Sequence, residues 1–297
     1  MDDEALKESR RILRRVQDHL LAAHAQLGAQ REAVGLVDVV YHPSSAFANL
    51  NYVTPRRNTA WVPSEMVQQG IAHLQQRGRA ARVRYIEGLY PPLFGAALRE
   101  LGLVVEHETP LMVYLAGGLA SSPSSPVTAA PLPDGVSVTT CADQRGIELW
   151  WYVWRNAHFD VLTLGAEPVL VGRDLAAVTA GQQLDLLLYR DSFPVGVARL
   201  SVQGQGAHLV GMALMKEART SSLLRALAAA AARAALDRGC NLICAPGETE
   251  ADRLTLRALG FRDFGSLVCY ASAKAASASA NEARYDCILG QPVLSLR

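Results

Sequence analysis

The feature that most constrains the fold is an apolar strand that passes through a short polar loop into a long helix. It reads LVGMALMKEARTSSLLRAL over residues 209–227, with Arg219 in the loop. Because the first amides of a helix have no partner within the helix, such a unit directs N–H groups at the loop, which is a common way to hold a phosphate. The segment therefore predicts an α/β protein with an anion site at the start of this helix.

The chain after residue 135 continues this alternation of strands and helices. Apolar periodicity and turn residues predict the order β-α-α-β-β-β-α-β-α-β, with hairpin turns around Asp191 and Gly204. The predicted strands are 136–140, 183–190, 194–202, 207–215, 241–245 and 261–272, and the predicted helices are 144–157, 173–180, 221–237 and 250–259.

The first half has a related pattern and a matching end. Its predicted elements are helix 3–27, strand 33–41, loop 42–57, strand 59–62, helix 64–77, strand 81–86, helix 91–101 and strands 103–108 and 111–116. In both halves a helix ends in Leu-Gly before an apolar strand, at Gly102 and Gly260, and glycine accepts the left-handed conformation that often ends a helix. We interpret the repeated ending as an internal duplication of one α/β unit.

The order of the second half and its loop resemble the GNAT acyltransferase superfamily. In that family the strand ends in Val-x-Pro and is followed by an Arg-x-x-Gly-x-Gly loop and a helix. Here residues 214–216 stand at the Val-x-Pro, and Arg219 stands at the arginine. The resemblance covers residues 136–272 and, more weakly, 34–115. It implies an α/β (α+β) protein of two tandem GNAT-like domains, each a mixed, mostly antiparallel central sheet flanked by helices.

Residues that the family usually carries are replaced at three positions. The loop glycines, which let the backbone approach the pyrophosphate of coenzyme A, are Ser222 and Leu224 here. Serine is small and its hydroxyl can donate, whereas the leucine has to point into the core to leave the loop open. Leu256 stands at the position of the family tyrosine, which protonates the departing thiolate. A leucine has no proton to donate.

The resemblance implies a site for acetyl-CoA along the strand end and the loop. The cofactor-binding residues that it implies are Ala213, Leu214, Met215, Arg219, Thr220, Ser221, Ser222, Leu223 and Leu224. The resemblance further implies that a main-chain amide at the strand end would polarise the thioester carbonyl, that the acceptor amine would attack directly, and that no metal is needed. The hydroxyls at 220–222 fit a helix N-cap alone as well as an N-cap with a bound anion.

Two histidines are candidates for the general base, because an imidazole accepts a proton near neutral pH. His208 opens the strand that leads to the loop. His158 follows a tryptophan-rich helix and, with Asp160, is predicted to line the acceptor side. The tryptophans of that helix, at 150, 151 and 154, are predicted to pack in the core.

Residues rich in proline, serine and glycine separate the two halves. We predict an N-terminal GNAT-like, non-catalytic domain over 1–117, a linker over 118–135, a C-terminal GNAT domain over 136–272 and a tail over 273–297. The first half is assigned no catalysis because it has no Arg-x-x-Gly-x-Gly loop, and its Glu65 would repel a phosphate at the corresponding helix start.

Composition excludes several other classes of protein. The net charge of +1 argues against a nucleic-acid-binding role, and no apolar run is long enough to span a membrane. The five cysteines form no CxxC pair, and Cys240 and Cys244 are predicted to be small buried residues rather than zinc ligands. The acidic N-terminus does not look like a signal peptide, so we expect a cytoplasmic protein.

The resemblance implies an N-acetyltransferase that moves an acyl group, most simply acetyl, from coenzyme A to a small-molecule amine. The alternative is a GNAT-like member that has lost catalysis and serves binding, sensing or assembly, which the missing glycines and tyrosine favour. We expect a monomer or homodimer with no nucleic-acid or membrane partner.

Overall fold

The computed structural model describes residues 3–57, 59, 61–118, 132–159 and 166–282. Its contacts divide the chain into two compact units. The first unit is Met1–Leu111 together with Phe264–Arg297, and the second unit is Met112–Asp263. Most of the predicted linker and residues 283–297 of the predicted tail lie outside the described residues. The two-domain boundaries drawn from the sequence stay a prediction.

The helices and strands follow one another closely along the described residues. The first part of the chain forms α1 (Asp3–Gln26), β1 (Gln30–Val34), β2 (Val37–Tyr41), β3 (Tyr52–Pro55), α2 (Ser64–Gln76), β4 (Arg82–Ile86), α3 (Pro92–Glu100) and β5 (Leu103–Leu115). The remainder forms β6 (Val136–Thr140), α4 (Gln144–Phe159), α5 (Pro168–Thr179), β7 (Gln183–Arg190), β8 (Phe193–Gln203), β9 (Gly206–Leu214), α6 (Ser221–Asp237), β10 (Leu242–Pro246), α7 (Glu250–Ala258), β11 (Arg262–Ser272) and α8 (Ala273–Glu282).

Both units contain a mixed sheet with mostly antiparallel strands. In the first unit the strands lie in the order β1-β2-β3-β4-β11, and the β3–β4 pair is parallel while the other three pairs are antiparallel. In the second unit they lie in the order β6-β7-β8-β9-β10, and only β9 and β10 are parallel within that series. Helices flank the strands, so the predicted class of mixed, mostly antiparallel α/β fold is confirmed.

Several strands of the first half were wrongly predicted. The expected strand over 33–41 is a hairpin, because Gly35 takes a positive φ of 56° and reverses the chain between β1 and β2. The described residues of the expected strand at 59–62 are not in a strand, and β3 instead lies within the expected loop. Short strands depend on the partner they meet more than on their own residues, which explains both errors.

The shared ending of the two halves is present in the structure. Helices α3 and α7 are each followed by a leucine and then a glycine with positive φ, 77° at Gly102 and 89° at Gly260. A single long strand follows in each case, β5 or β11. The two short strands expected at 103–108 and 111–116 are therefore one strand, which runs through Pro110.

Local signals in the second half gave the hairpins correctly. Asp191 and Ser192 both take positive φ, 51° and 68°, as a two-residue turn between antiparallel strands requires.

Helix α6 packs its alanine-rich face, which includes Leu227 and Ala231, against the sheet in the core of the second unit. Close helix–sheet approach is what an alanine-rich face allows, and it fixes where the start of α6 lies relative to β9.

A buried ionic cluster, which the sequence did not reveal, ties α5 to the sheet of the second unit. Arg199 on β8 donates to both carboxylate oxygens of Asp185 on β7, at 2.8 and 2.6 Å, and lies 2.7 Å from Asp174 on α5. Its guanidinium also stacks 3.9 Å from the ring centroid of Trp150. These charges are almost wholly removed from water, so each depends on the others for compensation.

Two further expectations concern cysteines and the membrane. Cys240 and Cys244 are both buried as free thiols, which confirms them as small core residues. Over the described part of the chain, none of the helices combines the length and the apolar character that crossing a bilayer requires.

Candidate functional site

The candidate site lies where β9 and β10 part. Their parallel pairing has three steps, from Gly206 opposite Leu242 to His208 opposite Cys244, and goes no further. Strand β9 continues to Leu214, paired along its other edge with β8. Main-chain groups of β9 beyond His208 that face away from β8 therefore form an edge that β10 does not cover. We call this stretch, residues 209–214, the free edge.

The start of α6 lies just beyond the open end of the free edge. Thr220 is the N-cap, with extended backbone angles, and its hydroxyl accepts a hydrogen bond from the N–H of Leu223 at 3.3 Å. Ser221 and Ser222 are exposed, and the Ser222 hydroxyl is 3.1 Å from that of Thr220. The capping role is confirmed for the Thr220 hydroxyl. The first-turn amides and the positive end of the helix dipole make this helix start suitable for an anion.

The two leucines of the first turn point away from this opening. Leu223 is buried in the core of the second unit, and Leu224 is partly buried against the same core. The bulk of Leu224 at the position of the second family glycine is therefore directed inward, where it does not occupy the exposed side of the helix start.

Of the three residues predicted at the end of β9, Ala213, Leu214 and Met215, only Leu214 directs its main-chain N–H toward the free edge. The N–H of Met215 donates to the carbonyl of Val195 at 2.9 Å, so it is already used. The carbonyl of Leu214 points away from β8, where it accepts a hydrogen bond from Arg219 Nε at 3.3 Å. Since the N–H and C=O of a strand residue point to the same side, the Leu214 N–H faces the free edge. Ala213 precedes it with a buried side chain.

Arg219 does something that the sequence did not predict. Its Nη2 donates to the carbonyl of Ala157 at 2.6 Å, in the last turn of α4. A cation at a helix C-terminus is favourable because the last carbonyls lack partners within the helix. The side chain therefore connects the loop to α4 through its guanidinium. The phosphate contact that the resemblance implies for Arg219 stays a prediction.

His158 follows Ala157, the residue whose carbonyl accepts the hydrogen bond from Arg219. Its ring packs on Trp154 with centroids 3.9 Å apart, while part of the residue stays exposed. Partial burial lowers the pKa of His158, and the positive charge of Arg219 lowers it further. A lowered pKa keeps the imidazole neutral near pH 7, the form that accepts a proton. Asp160, its predicted companion, lies outside the described residues.

His208 lies at the closed end of the free edge. Its neighbours Ala207 and Leu209 belong to the core beneath α6, so alternation along the strand places His208 on the opposite face. Leu214 is six positions further along the strand, roughly 20 Å away at about 3.3 Å per residue. His208 and the start of α6 therefore mark the two ends of an elongated site. His158 and Arg219 are the predicted residues that the fold brings together.

The tryptophan-rich helix α4 is mainly structural, as predicted. Trp150 Nε1 donates to the carbonyl of Ala198 at 3.0 Å, and Trp151 Nε1 donates to Asp174 at 3.1 Å. The exception is Trp154, whose buried Nε1 has no acceptor among the described residues. This unpaired donor lies beside His158 on the same turn of α4, and no sequence signal distinguished it from the other two tryptophans.

Solved structures with similar folds were found. A GCN5-related N-acetyltransferase from Kribbella flavida has a TM-score of 0.67 and 18% identity, over 89% of this chain and 95% of that one. A GCN5-related N-acetyltransferase from Sphaerobacter thermophilus has 0.56 and 13%, over 80% and 81%. A tandem GNAT protein from the clavulanic acid biosynthesis pathway has 0.55 and 12%, over 79% and 77%.

These similarities show that the chain has the GNAT fold. The identities are too low to carry an activity or a substrate from those proteins to this one. No protein-family model matches the sequence, and no curated protein matches it either.

Proposed function

We propose that this protein is an acyl-CoA-dependent N-acyltransferase that transfers an acyl group, most simply acetyl, to a small amine. The observation that carries this proposal is the free edge of β9, which begins after His208 and leads to the start of α6. The GNAT fold and the acyltransferases among its structural neighbours support it.

The residues present fit the phosphate end of such a cofactor. The helix start is exposed, is built from small hydroxyl residues, and is left open because Leu224 packs inward. Amides of the first turn, together with the hydroxyls of Ser221 and Ser222, would hold the pyrophosphate. Arg219 would act indirectly, by fixing the loop to α4 through the Ala157 carbonyl.

The chemistry asks two things of the protein. An acyl-CoA, when bound, supplies an activated acyl carbonyl. The Leu214 N–H, on the free edge, is available to donate a hydrogen bond to an acyl oxygen, which is where negative charge develops in acyl transfer. His158, with its lowered pKa, is available to accept a proton from an ammonium acceptor at a ring nitrogen. His208 is the second candidate for that role.

One observation favours the alternative of a binding protein without catalysis. Leu256, which stands where the family carries its tyrosine, is buried in the core of the second unit at 2% exposure. No acid can be supplied to a leaving thiolate from that position, so a catalytic member has to protonate the thiolate through water or another group.

The cofactor site is tested with a charge placed at the helix start. A glutamate at the first turn is compatible with the helix dipole, so Ser222→Glu is expected to fold, yet it would repel a bound pyrophosphate. We expect titration calorimetry with acetyl-CoA to show binding that Ser222→Glu weakens by about tenfold or more. Ser277→Glu, at an exposed serine of α8, is the matched control and should bind as the wild type does. Equal binding by both variants would rule out this helix start.

Catalysis is tested separately, by thiol release from acetyl-CoA with a panel of amines. If His158 is the base, the rate falls as the pH drops below the lowered pKa of His158, and His158→Ala removes this dependence while His208→Ala keeps it. Binding without thiol release for any amine would favour the non-catalytic alternative.

A further inference from the structure

The outermost strand of the second unit, β6, has an outer edge that no described strand covers. It comes last in the strand order, and among the described strands it pairs with β7 alone. Its five residues, Val-Ser-Val-Thr-Thr, contain neither a charge nor a proline, and their register with β7 has no shift. Charges, prolines and bulges are the usual means by which an exposed edge avoids pairing with another chain. The outermost strand of the first unit, β1, carries two such charges, Arg31 and Glu32, whereas β6 carries none.

Hydrogen bonds at the two ends of β6 show which of its main-chain groups face outward. The Cys141 N–H donates to the Asp185 carbonyl at 2.8 Å. The Asp191 N–H donates to the Gly135 carbonyl, also at 2.8 Å. In an antiparallel pair, positions that are hydrogen-bonded to the neighbouring strand alternate with positions that are not. The odd-numbered residues of 135–141 therefore face β7, and the even-numbered residues direct their main-chain N–H and C=O groups away from β7.

The outward groups lack partners, with one exception. The Val136 N–H donates to the Pro133 carbonyl at 3.0 Å. For the Val136 carbonyl, and for the N–H and carbonyl groups of Val138 and Thr140, the described residues offer no hydrogen-bond partner. Water can satisfy these groups in a single chain, and a further strand can take the place of that water.

A second copy of β6 matches this pattern. Two antiparallel β6 strands can place Val138 opposite the partner's Val138, where the two residues exchange hydrogen bonds in both directions. In the same register the Thr140 N–H faces the partner's Val136 carbonyl, and the symmetry repeats this bond. The Val136 N–H, which already has its acceptor in Pro133, is the one outward donor that this register leaves out. The outer edge of β6 is therefore complementary to itself, as a two-fold interface requires.

Grooves lie beside the outer edge of β6 on both faces of the sheet. The groove between β6 and α6 has a volume of about 290 Å³, and Leu132, Val138 and Leu186 line it together with alanines of α6. The groove beside the start of α4 has a volume of about 510 Å³ and is lined in part by Leu149 and Phe193. Leu132 is 42% exposed and Phe193 is 60% exposed, so each groove presents a large apolar side chain to solvent. A partner strand on the outer edge would bring its own surface over both grooves.

The charges that line the grooves suit a second copy of the same chain. Arg233 and Asp237 line the groove against α6, and Asp143 and Arg145 line the groove against α4. Each groove therefore has one positive and one negative side chain, so two copies do not repel each other. A two-fold axis can set the arginine of one copy beside the aspartate of the other. A highly charged partner would find no matching excess of charge here.

We propose that the protein forms a symmetric homodimer in which two β6 strands pair at their outer edges. The sheet of the second unit then continues from one copy into the other. Pairing gives the outward main-chain groups the partners that they lack, and the partner's surface covers the apolar side chains of the grooves. The interface is independent of the acyltransferase proposal, because β7 and β8 separate β6 from the free edge of β9.

Sedimentation velocity of the full chain tests the proposal. We expect the wild-type protein to change from the mass of one chain to the mass of two as its concentration rises, and to go no further, because a two-fold interface is closed. Thr140→Pro removes an outward N–H and puts the proline ring where the partner strand lies, yet it costs no hydrogen bond to β7. It should therefore fold and weaken dimerisation by about tenfold or more. Thr140→Val keeps the N–H and is the matched control, which should dimerise as the wild type does.

Charges placed at Ser137 and Thr139 test the register. Both residues are exposed, and in the proposed register each one lies opposite the other residue of the partner, at a closely spaced position that is not hydrogen-bonded. Ser137→Lys combined with Thr139→Lys places like charges opposite each other and should weaken dimerisation by about tenfold or more. Ser137→Lys combined with Thr139→Glu places opposite charges there and should dimerise at least as well as the wild type.

Three results would overturn the proposal. The first is a wild-type protein that stays a single chain at all concentrations, as it would if another part of the chain covered β6. The second is assembly beyond two chains, and the third is equal dimerisation of the two double variants. If circular dichroism shows that Thr140→Pro does not fold, the double variants give the same test, because their changes lie on exposed side chains.

Discussion

The buried cluster around Arg199 makes a sharp prediction about stability. Arg199→Met removes the guanidinium and keeps most of the volume that packs on Trp150. Asp185 then loses both of its hydrogen bonds from Arg199 and keeps only the one from Gln183 at 2.9 Å. Asp174 is affected less, because Arg173 and Trp151 still donate to it.

The size of the effect follows from these contacts. A hydrogen bond to a charged group contributes about 1.5–3 kcal/mol, and removing one partner of a buried ion pair typically costs about 3–5 kcal/mol. Asp185 is fully buried, so solvent cannot replace the lost partner. We therefore expect Arg199→Met to lower the free energy of unfolding of the second unit by about 4 kcal/mol near neutral pH.

The loss is expected to depend on pH with a defined sign. Burial already raises the pKa of Asp185 above its ordinary value of 3.8, and Arg199 opposes this shift. Without Arg199 the folded-state pKa rises further above that of the unfolded chain. The folded variant then binds a proton that the unfolded chain has released, so its stability is highest below about pH 4 and falls as the pH rises. The deficit relative to wild type should be smaller at acidic than at neutral pH.

Urea unfolding followed by tryptophan fluorescence measures this directly. Three of the four tryptophans lie on α4, beside the cluster, so the signal reports the second unit. Asp185→Asn added to Arg199→Met should recover part of the stability, since it removes the unpaired charge. Arg173→Met, which removes a partly exposed partner of Asp174, is the control and should cost no more than about 1 kcal/mol. Wild-type stability in Arg199→Met, or a deficit that does not change with pH, would refute the reasoning.

Two further predictions concern a surface network and a helix cap. Hydrogen bonding, chiefly from the Tyr41 hydroxyl and then from basic neighbours, lowers the pKa of Glu32 from 4.5 to about 2. Glu32 therefore stabilises the fold above pH 4.5, and this contribution is lost as the pH falls toward 2. Glu32→Gln should make the free energy of unfolding depend less on pH in this acidic range. An unchanged dependence would contradict the prediction. Thr220→Ala removes the N-cap of α6 and should cost about 1 kcal/mol in urea unfolding, with Thr220→Ser restoring most of it. Equal stability of the alanine and serine variants would show that the Thr220 hydroxyl does not stabilise α6 as an N-cap.

Much of the fold was predictable because its signals are local. The strand, polar loop and alanine-rich helix around Arg219, the hairpin at Asp191, and the glycines that end α3 and α7 all depend on residues a few positions apart. Turn geometry and helix caps are set by such short-range interactions. The order of elements in the second half, and from it the fold class, could therefore be predicted from the sequence.

The errors fall where partners lie far away in the chain. Strand β3 was predicted as a loop because its four residues become a strand only through pairing with β2 and β4. No feature of the sequence near Phe264 predicted that β11 pairs with β4 in the first unit. Long-range pairing is chosen by the whole set of available partners, which a window of sequence does not contain.

The sequence alone therefore determined the class of fold, the position of the candidate loop and the hydroxyls that cap its helix. Tertiary structure alone decided that Leu224 packs inward, that Arg219 binds the end of α4, and that Arg199 is compensated by Asp174 and Asp185. The physical reason is that propensity and capping act over a few residues, whereas the direction of a side chain and the compensation of a buried charge depend on groups that only folding brings together.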